Sequence, residues 1–419
     1  MVLNHLNRAR ILRLTVQTDR DIDEIWTRIS RGEAPRLQEL ALFWRGTLQK
    51  DIQHSDFSLL ELRVIMLENV HLADLRLSPL LCPALVNLSL VNCGETWTSL
   101  DSLVHTLQRL PTLVSLTLDK VLPPVRSYSR QSSNRQSALL QKLDKLTLGG
   151  ECLSLTAALR AIDCPRACTI ALHPSFHRNA DLSTQTLQLR GLKDELSDRF
   201  DETDECEFFD SLAVQDDSFW IRSKLRMFAR CSPDASRRGL PNQIELTLTW
   251  PVRVAWATHV IALLATVGSP IPRLAGLSTF TIDAYTLGCG TALGNLLQDV
   301  RSTRKMQISA ASGLYNPLPT AMESTKGHEP LFPQCRVLHV QGIDFSQPLC
   351  AGQLTLLDVL LDGLVDAAVC RVDIVECDVS DEGLRRLRDA YAGRVTWDEK
   401  DIARCDPEGP PFAIRSEAW

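Results

Sequence analysis

One hydrophobic pattern, L-x-x-L-x-L, returns along almost the whole chain and constrains its fold more than any other feature. Clear copies occupy 37–42, 62–67, 85–90, 113–118 and 143–148. In the degenerate copies other residues replace some of the leucines, and these copies occupy 9–14, 167–172, 243–248, 277–282, 303–308, 335–340 and 369–374. The fourth position of the first seven copies falls at 12, 40, 65, 88, 116, 146 and 170, in steps of 23 to 30 residues. The chain is therefore predicted to repeat one structural unit.

Each copy has the alternation of a β-strand, because side chains two apart on a strand face the same side. Leu88 and Leu90 share one side, and Ser89 and Val91 the other. Returning to start a parallel strand needs a crossover of a dozen or more residues. Steps of this length and a strand motif of this form are typical of leucine-rich repeats, which favour Asn or Cys at the ninth position, here Cys93 and Cys377. We predict an α/β leucine-rich-repeat solenoid, a horseshoe with a parallel sheet on its concave face and helices on its convex face.

The segment 96–111 shows what a crossover would contain. It carries leucines at 100, 103, 107 and 110, which share one helical face. Thr98 with Asp101 has the form of a capping box, and Pro111 would end the helix before the next strand. A doubly wound α/β sheet also alternates strands and helices, but the near-constant spacing and the recurring strand motif favour the repeat.

The pattern divides the chain into four regions. N-terminal repeats cover 1–172 and C-terminal repeats with a closing cap cover 241–399. Between them, 173–240 is predicted to be an irregular repeat with an acidic surface insertion, the solvated loop DELSDRFDETDECEFFD at 194–210. Within it, 186–192 and 218–229 have the composition of strand or helix pieces. Residues 400–419 form a C-terminal tail.

Charge and composition exclude several classes of function. The 45 basic against 51 acidic residues give a net charge of −6, which argues against a nucleic-acid-binding protein. No apolar run reaches 18 residues and the N-terminus has no apolar signal-peptide core, so no membrane contact is expected. The 13 cysteines lack framework spacing and are predicted to be reduced thiols. An intracellular location, in cytoplasm or nucleus, follows.

The C-terminal region carries a more particular order of motifs. EPLFPQCRVLHVQGIDF (329–345) contains Phe332–Pro333, a later strand runs from Ile374 to Cys377, and the region closes on Val395, Trp397 and Asp398. This order resembles the fungal F-box proteins with leucine-rich repeats, and the N-terminal NHLNRARILRL is similar to the start of their repeats. The resemblance implies a non-enzymatic protein-binding function, the substrate-recognition region of a ubiquitin-ligase subunit, with a protein partner or ubiquitination substrate.

One part of that family's architecture has no counterpart here. An F-box is a helical module that precedes the repeats and docks the adaptor of cullin-RING ligases. The repeats of this chain begin by about residue 9, which leaves no room for an F-box before them. Either the gene model starts too late or the protein is a paralogue that lost its ligase link. A cullin-RING adaptor is therefore an expected partner only if an F-box lies upstream, and the alternative is a repeat scaffold without a ubiquitin role.

Two motifs invite a chemical function. GCGTALG at 288–294 resembles the nucleotide loop of methyltransferases and is the basis of an enzymatic alternative, an S-adenosylmethionine-dependent transferase. Its third expected glycine is Ala292, so a turn explains the glycines better. Cys164, Cys168, His173 and His177 lack the zinc-finger spacing, and Cys168 and His173 would face opposite sides of a strand. We predict no cofactor, no metal site and no catalytic residue.

The predicted binding surface is the concave side of the sheet, on which larger side chains of the fifth, seventh and eighth repeat positions would form a row. Aromatic and arginine side chains there are typical anchors of protein interfaces. Phe43, Trp44 and Trp250 are the strongest candidates, although an aromatic ring directly after a strand also packs under its neighbouring repeat. The full predicted set is Arg13, Phe43, Trp44, Glu68, Asn69, Asn92, Asp119, Lys120, Trp250 and His339.

Overall fold

A computed structural model gives the architecture of the chain. It describes residues 2–45, 50–52, 61–72, 80–94, 96–125, 137–165, 167–177, 179–200, 211–216, 223–230, 243–250, a few positions between 263 and 274, 277–283, 300–309, 330, 332–346, 355–361, 364–368 and 370–398. These residues form two compact units, 1–176 with 236–244 and 177–235 with 245–419.

Unit 1 is built on a sheet of seven parallel strands in chain order. They are β1 (Ile11–Val16), β2 (Glu39–Trp44), β4 (Val64–Glu68), β6 (Asn87–Val91), β7 (Ser115–Asp119), β9 (Lys145–Glu151) and β11 (Thr169–Ser175). Two small parallel pairs lie in the crossovers: β3 (Lys50–Ile52) with β5 (Val70–Leu72), and β8 (Ala138–Leu139) with β10 (Ile162–Asp163). The predicted α/β class with a parallel sheet is confirmed.

The register of this sheet aligns the repeat copies position by position. The fourth positions form one continuous row across the seven strands: Leu12, Leu40, Ile65, Leu88, Leu116, Leu146 and Ile170. Every member is at most 3% exposed. Because a slip of one residue would turn this row to the other face, burial of these side chains fixes the register. The fourth positions read from the sequence are thus confirmed as neighbours.

Helices α1 (Asp19–Ser30), α2 (Leu100–Gln108) and α3 (Cys152–Ala161) connect strands in the described part of unit 1. Helix α2 buries Leu100 at 9% exposure and Leu103 and Leu107 at 0%, and Leu110, which follows the helix, is also 0% exposed. Its N-cap is Ser99, whose hydroxyl accepts from the Ser102 amide at 3.2 Å, so the predicted cap at Thr98 was one residue early. A serine hydroxyl at this position satisfies an amide that the helix itself leaves without a partner.

The described residues of unit 2 include six parallel-paired strands, and four of these strands stack their repeat copies in register. These strands are β12 (Ser211–Asp216), β15 (Thr279–Asp283), β16 (Lys305–Ser309), β17 (Val337–Gln341), β18 (Arg371–Val375) and β19 (Val395–Trp397). The fourth positions Phe280, Met306, Leu338 and Val372 are in register, and each is 0% exposed. Helices α5 (Leu356–Leu361) and α6 (Asp381–Ala390) lie in the last two crossovers.

The described part of the region predicted to be an irregular repeat contains a long helix and an antiparallel pair of strands. Helix α4 (Leu182–Phe200) contains both 186–192 and the start of the acidic run, so that part of the run is not the predicted loop. The segment 218–229 contributes to β13 (Ser223–Arg230), which pairs antiparallel with β12. Strand β14 (Gln243–Trp250) neighbours β13, so the strands here follow the order β14, β13, β12, β15. An antiparallel hairpin therefore interrupts the succession of parallel repeats.

Five strands of the described part of the chain end on the same kind of corner. The residue after the strand lies in the left-handed region, with φ between 51° and 68°, at Asn69, Asn92, Lys120, Gly342 and Glu376. The residue that follows is the ninth repeat position, and it is at most 1% exposed: Val70, Cys93, Val121, Ile343 and Cys377. A single left-handed residue turns the chain out of the strand direction, so the next side chain enters the core.

The two cysteines at ninth positions make equivalent bonds in the two units. The Cys93 thiol donates to the Leu67 carbonyl at 3.3 Å and lies 3.4 Å from that of Val91. In the same way, the Cys377 thiol lies 3.6 Å from the Val340 carbonyl and 3.2 Å from that of Val375. The Leu67 and Val340 carbonyls both belong to the sixth position of the preceding repeat. This explains why a small donor such as Cys suits the ninth position: it binds a backbone carbonyl beside the corner.

The buried thiols predict a loss of stability at alkaline pH. Burial raises the pKa of Cys93 to about 11. The unfolded chain ionises its thiols at lower pH than the folded protein does. The stability that the neutral Cys93 thiol contributes is therefore complete below the unfolded pKa and disappears as the pH rises toward 11. Between pH 8 and 10 we expect Cys93 to account for a loss of about 1 kcal/mol in the free energy of unfolding. The free energy of unfolding, measured by urea titration at each pH, should fall more steeply between pH 8 and 10 for the parent protein than for Cys93→Val. An equal pH dependence in the two proteins would contradict the raised pKa of Cys93.

The last strand is closed by a carboxylate. At each earlier corner, the amide of the left-handed residue donates to a backbone carbonyl of the neighbouring repeat, as from Asn92 to Asp119 at 2.8 Å. At Glu376 the amide donates instead to the Asp398 carboxylate, at 3.1 and 3.2 Å. Asp398 therefore satisfies the amide at the final corner, which gives the V-x-W-D motif a physical role.

Among the described helices, none is long and apolar enough to cross a lipid bilayer.

Candidate partner-binding face

Side chains that alternate with the core residues form the non-core face of each sheet. On this face, the fifth repeat positions lie in register and are called here the middle row. In unit 1 the middle row consists of Arg13, Ala41, Met66, Ser89, Thr117, Thr147 and Ala171. In unit 2 it consists of Thr281, Gln307, His339, Asp373 and Thr396. The two rows differ in chemistry, since that of unit 2 is polar throughout.

Arginine and glutamate begin the non-core face of unit 1. Arg13 is exposed and forms an ion pair with Glu39 on the adjacent strand. Glu68 lies within 3.6 Å of Arg45. Both predicted residues, Arg13 and Glu68, are therefore on the surface but already have partners of opposite charge.

The three aromatic candidates have different outcomes. Phe43 is half-buried, in register with Thr15 and Glu68 on the non-core face. Trp44 is 3% exposed, because it alternates with Phe43 and shares the core side with Leu40 and Leu42. This corrects its placement on the binding surface in favour of the packing alternative. Trp250 ends β14, and its side chain lies outside the described residues.

Asn69 and Asn92 bind each other rather than facing outward freely. The Asn92 amide donates to the Asn69 carbonyl oxygen at 2.5 Å, and the Asn69 amide donates to the Trp44 backbone carbonyl at 3.0 Å. The two side chains thus form a short ladder across three strands. They are half-buried and act mainly on the corner geometry.

Asp119 and Lys120 stand at the next corner. A Cβ added at Gly149 would lie 2.8 Å from the Asp119 Cγ, so the Asp119 side chain lies over the neighbouring strand where only glycine leaves space. Lys120 is exposed and holds the left-handed conformation with φ of 54°. This end of the face therefore presents one lysine ammonium beside a half-buried carboxylate.

In unit 2 the predicted His339 lies between Gln307 and Asp373 in the middle row. Asp373 accepts from Arg371 at 2.7 Å and from the Thr396 hydroxyl at 2.5 Å. Arg371, Asp373 and Thr396 were not among the predicted binding residues, although Asp373 holds the same fifth position as His339. The repeat pattern could have identified Asp373, because the fifth position of every copy belongs to the middle row.

The charge states of this cluster follow from its surroundings. Burial lowers the pKa of His339, and Lys305 adds to that effect while Asp373 opposes it. Burial alone would raise the pKa of Asp373, but hydrogen bonds from Arg371 and Thr396 outweigh it and the net pKa is lowered. At neutral pH His339 is therefore mainly neutral and Asp373 is ionised.

The residues considered for cofactor or metal chemistry are dispersed. The loop 288–294 lies outside the described residues. Cys168 is 1% exposed, whereas His177 is exposed and its Nδ1 accepts from the Asn179 amide at 3.2 Å. Within the described part of the chain, no group of three or more His, Cys, Asp or Glu side chains could hold a metal ion.

Comparison of the chain with protein-family models, curated proteins and solved structures gave no match.

Proposed function

We propose that the chain is a non-enzymatic, protein-binding leucine-rich-repeat solenoid of horseshoe shape, located inside the cell. The observation that carries this proposal is the equivalence of repeats in the two units. In both, fourth positions stack in register, a left-handed residue ends the strand, and a ninth-position cysteine donates to the sixth-position carbonyl of the preceding repeat. Three independent features of one repeat recur together.

A binding role is supported by the non-core face. The core rows are nearly uniform in aliphatic character, whereas the accessible members of the middle row change from the exposed Arg13 to the half-buried Met66 and Ser89. Side chains that the packing does not require are available to set specificity, and a rigid sheet holds them in place. In the proposed horseshoe, the non-core face of the sheet is the concave surface to which a partner would bind.

The resemblance to F-box proteins supports a more specific role, the recognition region of a ubiquitin-ligase subunit that binds a substrate protein. The eight described cysteines are free thiols, which is compatible with a reducing compartment. A full-length read of the native transcript tests the ligase role. An upstream in-frame F-box would support it, and a transcript that starts at Met1 would leave a repeat scaffold without a ubiquitin role.

The partner-binding role is tested at Phe43. A photo-crosslinking phenylalanine analogue placed there should capture a partner in cells, whereas the same analogue at Asp101, exposed on α2, should not. Against that purified partner, Phe43→Ala is expected to weaken binding at least tenfold, since half-buried aromatic rings are typical interface anchors. Its melting temperature should stay within a few degrees of the parent value.

Two results would contradict this assignment. Equal crosslinking from position 101 would show that contact is not concentrated on the sheet. A large fall in melting temperature for Phe43→Ala would show that the ring belongs to the core. The enzymatic alternative is tested separately by calorimetry with S-adenosylmethionine, for which heat of binding would be required.

A further inference from the structure

The strands of unit 2 begin on a row of arginines. Arg304, Arg336 and Arg394 each directly precede a strand, β16, β17 and β19, and Arg371 is the first residue of β18. Their backbones are joined by the sheet, because the Arg336 amide donates to the Arg304 carbonyl at 2.8 Å and the Arg371 amide to the Arg336 carbonyl at 2.9 Å. Adjacent strands lie about 4.8 Å apart, so the row extends over about 15 Å.

These positive charges are not balanced equally. Arg371 binds Asp373, and Arg394 donates to the backbone carbonyls of Ala367 and Tyr391. Arg304 and Arg336 are exposed, and neither has an ion pair or a side-chain hydrogen bond within the described ranges. Two positive charges on adjacent strands thus repel each other, and no carboxylate of the described residues forms an ion pair with either of them.

Four acidic side chains of the same repeats lie at the opposite edge, whereas Asp373 lies within β18. Asp344, Glu376, Asp378 and Asp398 all follow the ends of β17, β18 and β19. The Asp398 carboxylate accepts a hydrogen bond from the Glu376 backbone amide, and the Glu376 carboxylate accepts one from the Gln341 side chain at 3.4 Å. The sheet therefore has a basic edge where strands start and an acidic edge where they end, and this separation orients an approaching charged partner.

We propose that the strand-start edge of unit 2, centred on Arg304 and Arg336, is a docking surface for an acidic segment of a partner protein. Arginine binds carboxylates through two parallel hydrogen bonds, and the fixed strand spacing presents these groups at regular intervals. A protein segment fits better than nucleic acid, because the chain carries a net charge of −6 and would repel a long polyphosphate. The neighbouring polar middle row, with Gln307 and His339, offers further hydrogen bonds to a peptide.

The test uses the full chain and a fluorescein-labelled oligoglutamate peptide, followed by fluorescence anisotropy at low and physiological salt. R304E/R336E should raise the Kd at least tenfold, since each reversal turns an attraction into a repulsion. The matched control is R386E/R388E, two exposed arginines of α6 in the same unit with the same change in net charge. Its Kd should remain within about twofold. R304Q/R336Q, which removes charge without adding any, should fall between the two.

Each other outcome overturns the proposal. An equal loss in R386E/R388E would show that only the net charge matters, and an unchanged Kd in R304E/R336E would place the binding elsewhere. An oligothymidine of equal charge that binds more tightly, and whose binding is lost in R304E/R336E, would identify a nucleic-acid surface. This inference goes beyond the proposed function, because the assay measures peptide binding at the strand-start edge of unit 2. Its result does not depend on whether Phe43 contacts a partner.

Discussion

Replacing Leu88 with alanine is expected to lower the free energy of unfolding by about 2–5 kcal/mol. Leu88 is 0% exposed, and its neighbours in register, Ile65 and Leu116, are at most 1% exposed. Since strands of both neighbouring repeats hold these residues, the cavity left by the shortened side chain cannot close by a local shift. Urea unfolding of unit 1, followed by tryptophan fluorescence, measures the loss as a lower midpoint.

Ser89→Ala provides the matched control on the next residue of the same strand. Ser89 lies in the middle row of the non-core face and is half-buried. Its replacement should change the free energy of unfolding by no more than about 0.5 kcal/mol, as for most surface substitutions. Losses of similar size in the two variants would contradict the assignment of opposite faces to Leu88 and Ser89.

The sequence was sufficient to predict the register because burial and strand alternation act together. Leu88 must face inward, so its neighbours at Ile65 and Leu116 can pair with it in only one way that buries all three. The same reasoning separates Phe43 from Trp44. Alternation from Leu40 and Leu42 places Trp44 in the core, and applying it consistently would have excluded Trp44 from the binding set.

The strand order between the regular parts could not be predicted in this way. The copy at 243–248 has the same alternation as any other, yet β14 neighbours β13, which is antiparallel to β12. Alternation specifies which face of a strand is buried, but both parallel and antiparallel partners satisfy it. Chain order predicted an irregular repeat over 173–240, and it could not show that β12 and β13 within this region pair antiparallel.

The candidate site was predicted in part for a related reason. A repeat position predicts which side a residue faces, and it placed His339 and Phe43 on the non-core face. It does not show what the side chain binds there. The ladder from Asn92 to Asn69, and the bonds that tie Asp373 to Arg371 and Thr396, depend on contacts between repeats that are far apart in sequence.

The corner at Asn92 gives a prediction that separates backbone strain from side-chain bonding. Asn92 has φ of 52°, a conformation that alanine adopts at a cost of about 1–2 kcal/mol, and its amide donates to Asn69. Asn92→Ala loses both contributions and should lower the free energy of unfolding by about 2–3 kcal/mol. Asn92→Gly keeps the left-handed conformation and loses only the bond, so the loss should be about 1 kcal/mol.

Lys120 is the matched position for this comparison, with φ of 54° and no side-chain hydrogen bond within the described residues. Lys120→Gly removes strain without breaking a bond, so it should stabilise unit 1 by about 0.5–1 kcal/mol. If glycine is equally harmful at 92 and 120, the corners do not require a left-handed residue. If Asn92→Ala and Asn92→Gly are equivalent, the side-chain ladder alone holds the corner, and the five left-handed positions need another explanation.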